Sequence, residues 1–206
     1  MGIKAIVIDI GNVLIEESGE EARAFIADLY GFSADDFWKY ATKNLNKSYC
    51  GQLSGEDFFK ELVKDLGLDV SVSEDWAKAW VEGREQTSRV DNVVAETLEK
   101  LKGKYVLGVL SNSTVLNEKA RQRRECYGVF DFKILSFEIG VRKPDKKVYE
   151  ILLERLKEEG IGPEEAVFVD DRKENLGPAE DLGINTILFE DSEQMIRDLR
   201  GLGVEV

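Results

Sequence analysis

The chain has 206 residues, enough for one large domain or for a core carrying an inserted subdomain. Its 41 acidic against 28 basic side chains give a net charge of −13, which disfavours nucleic acid as a partner and makes any phosphate site depend on local positive charge or a metal. Histidine is absent, which excludes Ser-His-Asp and Cys-His catalysis and zinc sites that rely on imidazole. Chemistry is left to carboxylates, lysine, arginine, hydroxyls and hard metal ions. The two cysteines, Cys50 and Cys126, are too few for a disulfide framework or a thiolate cluster, so a reduced, cytoplasmic setting is expected. No run of 18 apolar residues suggests a membrane span, and the N-terminus enters a strand pattern without the sections of a signal peptide.

The first element is KAIVIDIGNVL, residues 4–14: an apolar β-branched run that stops on Asp9 and a glycine turn. Further strand patterns fall at 105–110, 133–136, 166–170 and 185–189. Several of these runs are almost continuously apolar, as strands covered on both faces are. Helical patterns alternate with them at 148–160, 174–183 and 192–203, the first two ending on Gly160 and Gly183. This alternation predicts an α/β fold, a Rossmann-like parallel sheet with right-handed crossovers.

Residues 15–88 break the alternation. They read as helices at about 19–30, 33–46, 54–66 and 73–88, with N-cap neighbourhoods at Ser54/Asp57 and Ser73/Asp75. The block is too long for a crossover. It is expected to be an inserted helical cap over a core of residues 1–14 and 89–206, with Phe37, Trp38, Phe58, Phe59, Trp76 and Trp80 in its interior.

Four motifs end strands or follow them in order: VIDIGNV with Asp9, VLSNS with Ser111 and Asn112, GVRKP with Lys143, and VFVDDRKEN with Asp170, Asp171 and Asn175. Sites in open parallel sheets lie at the carboxyl ends of strands, so these groups are expected to converge. Three clustered carboxylates require a compensating cation.

This ordered set, more than any single motif, resembles the haloacid dehalogenase superfamily, and within it the DxGNV phosphatases that carry a helical cap. The resemblance implies a nucleophilic Asp9 that forms an aspartyl-phosphate, with Mg²⁺ bridging carboxylate and phosphate. It implies Asp9, Asp171 and the Gly11 carbonyl as metal ligands, with Asp170 ligating or holding a metal-bound water. Ser111, Asn112 and Asn12 are the implied substrate contacts, Lys143 the neutralising cation and Asn175 a support for the last loop. The implied substrate is a small phosphorylated metabolite, with a sugar phosphate as one candidate.

Most phosphatases of this superfamily place a second Asp where this chain has Gly11. A 2-haloacid dehalogenase, which also does without that acid, is therefore a rival, as is a non-catalytic module of the same fold. Lys119, Arg121, Arg123 and Arg124 read as a solvated helix face, Arg142 as a surface or ion-paired residue, and Cys50 receives no role. Nothing in the sequence sets an oligomeric state.

Overall fold

A computed structural model describes residues 2–68 and 75–206. Five parallel strands form one sheet in the order β5-β4-β1-β6-β7: β1 (Ala5–Ile8), β4 (Val106–Ser111), β5 (Phe132–Leu135), β6 (Ala166–Asp170) and β7 (Asn185–Leu188). The apolar runs form these strands because helices cover both faces. Ile6 and Ile8 point into a cluster with Val94, Leu98, Leu101, Met195 and Leu199, from helices α5 (Asn92–Leu101) and α10 (Ser192–Gly201). Ala5 and Val7 point the other way, onto Tyr149, Leu152, Leu156 and Leu176 of α8 (Lys146–Glu158) and α9 (Lys173–Glu180). The period-two alternation of the central strand divides the core into these two layers.

The other strands, β2 (Ile15–Glu17) and β3 (Ser88–Val90), form a separate antiparallel ladder. Among the described residues, four α-helices lie between them in sequence: α1 (Gly19–Tyr30), α2 (Ala34–Tyr49), α3 (Gly55–Asp65) and α4 (Trp76–Gln86). Serine hydroxyls cap the first three, and Ser54 accepts from the backbone N–H of Asp57 as its neighbourhood predicts. Ser73 lies outside the described residues. These helices share a cluster in which Phe59 stacks on Trp76 with ring centroids 4.0 Å apart, beside Phe37, Leu62 and Val63. Trp38, expected in that interior, is 46% exposed instead, and Arg23 lies 4.2 Å over its face.

Close approaches between the helical layer and the sheet layer include those at Gly51 and Trp80. Gly51 has φ +68°, and a Cβ there would stand 2.3 Å from the carbonyl oxygen of Phe137 in α7 (Ser136–Ile139). Trp80 donates its indole N–H to Asn117 Oδ1 of α6 (Val115–Arg121) at 2.8 Å.

Candidate active site

Because the sheet is parallel, β1, β4 and β6 end at one edge, and Asp9, Ser111 and Asp170 stand at or just past those ends. The backbone N–H of Asp9 donates to the Val169 carbonyl at 2.8 Å, which fixes it beside β6. Its Oδ1 accepts from the N–H of Ile10 at 2.7 Å. The chain then turns sharply, with Asn12 in the left-handed region at φ 57°, a conformation asparagine tolerates. Asn12 ties this turn to its surroundings: Nδ2 donates to Asp171 Oδ2 at 3.3 Å, and Oδ1 accepts from the N–H of Glu17 at 3.2 Å.

Lys143 is the hub. It is 1% exposed, and Nζ donates to the Leu110 carbonyl at 2.7 Å and to Asp170 Oδ2 at 2.6 Å, with Asp9 Oδ2 at 3.1 Å. A buried ammonium needs such a full set of oxygens. The Asn112 side chain clamps the lysine's backbone, accepting its N–H at 2.9 Å and donating to its carbonyl at 3.0 Å. Asp170 is fully buried, and its second oxygen accepts from the Arg172 N–H and from Asn175 Nδ2, both at 2.9 Å. Asn175 lies inside α9, and its carbonyl receives the Tyr149 hydroxyl at 2.5 Å. Asp9, Asn112, Lys143, Asp170 and Asn175 are thus joined in one network, with Ser111 at the adjoining strand end.

Carboxylate oxygens of Asp9, Asp170 and Asp171 lie within 4.8 Å of one another. Burial pushes the Asp170 carboxyl above the ordinary range, with Lys143 opposing and Asp9 reinforcing the shift. Burial also raises Asp171, helped by the charge of Asp9. Three carboxylates against one ammonium leave excess negative charge in a hard-oxygen donor set, which fits a small divalent cation.

A cavity of about 450 Å³ opens above Asp9, between the sheet edge and the helical layer. Aromatic side chains, among them Trp38, Tyr49, Phe58 and Trp80, form much of its wall. The sequence reading missed a charged triad on the same wall. Glu17 accepts from Arg121 Nε at 2.9 Å through Oε1 and from Arg84 Nη2 through Oε2. Arg121 also donates Nη1 to Ser111 Oγ at 3.1 Å and to Ser113 Oγ at 3.2 Å.

The expected solvated face at 119–124 is therefore corrected. Lys119 and Arg123 are exposed, but Arg121 is 5% exposed, and its guanidinium points inward because Glu17 supplies the counter-charge there. Burial alone would raise the Glu17 carboxyl, yet the two guanidiniums hold it below the usual range. Arg142 is half-buried and donates to Asn46 Oδ1 at 2.7 Å.

Comparison with known proteins covers most of the chain. Residues 3–183 match the family of haloacid dehalogenase-like hydrolases. Bifunctional epoxide hydrolase 2 of Sus scrofa is 39% identical over 90 residues, 44% of this chain but 16% of that protein's length. D-ribitol-5-phosphate phosphatase of Bacteroides thetaiotaomicron is 25% identical over 206 residues, 96% of this chain and 97% of that one. A haloacid dehalogenase family enzyme of the same organism, solved with magnesium and inorganic phosphate, superposes with a TM-score of 0.77 at 24% identity, covering 95% of this chain and all of that one.

Proposed function

Because the chain belongs to the haloacid dehalogenase-like hydrolase family, we propose that it is a Mg²⁺-dependent phosphatase that cleaves a small phosphomonoester through an aspartyl-phosphate on Asp9. The observation that carries this reading is the meeting of three carboxylates and a buried lysine at the floor of a cavity large enough for a metabolite. The full-length likeness to a ribitol-phosphate phosphatase supports a phosphate ester as substrate. In this reading residues 15–88 form the cap over a core of 1–14 and 89–206, and the cap walls screen the reacting phosphate from bulk water.

Asp9 is the nucleophile, with one oxygen anchored by the Ile10 N–H and the other facing Lys143. Lys143 offsets the repulsion between this carboxylate and an incoming phosphate dianion. Ser111 accepts its hydrogen bond from Arg121, so its own hydroxyl hydrogen is free to donate to a phosphoryl oxygen. Asp170 orients Lys143, and Asn175 with the Arg172 N–H orients Asp170. Asp9, Asp171 and the Gly11 carbonyl would hold Mg²⁺, with Asp170 at its margin. The ion would supply charge neutralisation between carboxylate and phosphate.

p-Nitrophenyl phosphate hydrolysis should require Mg²⁺ and vanish in Asp9→Asn. Equal turnover by that variant, or by wild type in chelator, refutes the reading. One observation favours a 2-haloacid dehalogenase instead: residue 11 offers no acid for a leaving group that needs a proton. Halide release from a 2-haloacid without metal, and no phosphate release, would establish that alternative.

A further inference from the structure

The turn that follows Asp9 borders the cavity at residue 11, a place from which a side-chain acid could give a proton to a departing group. That residue is Gly11, and its side-chain space is already taken. A Cβ there would stand 3.3 Å from both Arg121 Nη2 and Glu17 Oε2. A guanidinium and a carboxylate brought in from elsewhere in the chain therefore occupy the volume an acid would use.

The rest of the cavity wall supplies no ready substitute. Among the described residues its carboxylates are Asp9, Glu17 and Asp171. Asp9 is the nucleophile in the reading above. Asp171 stands in the three-carboxylate cluster, and Asn12 holds one of its oxygens. Each oxygen of Glu17 is bound by a different arginine. Nη2 of Arg121 has no hydrogen-bond partner among the described residues, whereas Nε and Nη1 are engaged. Among the described residues, Tyr49 is the one phenol on the wall.

We propose that Arg121 meets the leaving-group oxygen in place of a proton donor, and that the substrates are phosphate esters whose oxygen departs as a stabilised anion, such as aryl, enol or acyl phosphates, rather than esters of simple alcohols. The inference rests on the phosphatase reading. In the first step an Asp9 oxygen bonds to phosphorus while the bond from phosphorus to the leaving oxygen breaks, its electron pair staying on that oxygen beside the guanidinium. A guanidinium keeps its proton in proteins, so it stabilises this charge without neutralising it. In the second step water attacks phosphorus, Asp9 leaves as carboxylate, and both hydrogens of the water remain on inorganic phosphate.

The test is kcat/KM across a series of para-substituted phenyl phosphates, similar in shape and differing in phenol pKa, with a primary alkyl phosphate added. For a loose transition state without proton transfer, wild-type kcat/KM should fall by roughly fivefold to tenfold for each unit of phenol pKa. The alkyl ester should be turned over at least about a thousandfold less well than the nitrophenyl ester. Arg121→Met should lower every rate and steepen the slope, and Arg121→Lys should restore part of it. The wild-type slope decides the matter even where Arg121→Met does not fold. A slope under about twofold per unit overturns the proposal, as does a shallow slope that steepens in Tyr49→Phe, which would make Tyr49 the proton donor. Failure of every ester to release phosphate, or Mg²⁺-independent release, overturns the parent reading instead.

Discussion

Replacing Lys143 by methionine removes the one cation of the carboxylate cluster while keeping most of its volume. Nζ lies 2.6 Å from Asp170 and 3.1 Å from Asp9. At an effective dielectric of about 20, these separations correspond to attractions of roughly 6 and 5 kcal/mol. Desolvating the ammonium costs several kcal/mol, so the net loss from leaving two buried carboxylates unpaired should be about 3–5 kcal/mol. For a chain of this length that is a fall in Tm of roughly 6–20 °C.

Urea and thermal unfolding in chelator would measure it. The deficit should shrink as the solution is acidified. The Asp170 carboxyl already lies above its ordinary range, and loss of Lys143 raises it further. Between the unfolded and folded pKa the native state then binds more protons, so stability falls as pH rises and recovers as pH falls. Added Mg²⁺ should recover part of the deficit as well, by occupying the same carboxylates. A loss below about 1 kcal/mol at neutral pH, or a deficit indifferent to pH, would refute the assignment of Lys143 as the internal counter-ion.

Asp171→Ala should raise the Mg²⁺ dissociation constant by more than about a hundredfold, with under about 1 kcal/mol change in stability, since one long hydrogen bond is all its side chain donates to or accepts from elsewhere in the described structure. An unchanged Mg²⁺ titration removes it from the ligand set. Glu17→Gln leaves the buried Arg84 and Arg121 without a carboxylate and should cost about 3 kcal/mol or more at neutral pH. Glu17 is held below its ordinary range, so its contribution is complete above about pH 4.5, the usual Glu value, and is lost as pH falls through the folded pKa. The gap between wild type and Glu17→Gln in denaturant midpoints should therefore close on acidification, and a gap that widens would contradict the assignment.

The sheet and its acids were legible because their signals are local. Continuous apolar runs mark strands covered on both faces, and Asp9, Asp170 and Asp171 sit where those runs stop. Lys143 was legible through its motif, although its burial was not, since a lysine before a proline carries no mark of three waiting oxygens. Arg121 was invisible for a definite reason. Its carboxylate partner lies 104 positions earlier, and a window of sequence that shows four cations near a helix end cannot show that one of them turns inward. The ladder of β2 and β3 escaped too, since IEE and SRV are three-residue strands without an apolar alternation. Residue type alone places Trp38 in the interior, and nothing local in the sequence shows that its ring lies under Arg23 at the surface. Asn175 reads as a helix-start residue, and it is one, but its amide also reaches back to Asp170.

Asp9, Ser111, Asp170 and Asp171 stand at or just past the ends of β1, β4 and β6, the three inner strands, with β5 and β7 outside them as a margin. Central strands generally open only near the free energy of global unfolding, whereas sheet edges and surface segments open more easily. The cavity walls come largely from the helices that lie between β2 and β3 in sequence. On the phosphatase reading, changes in substrate scope would fall on these helical walls, while the acids belong to the sheet.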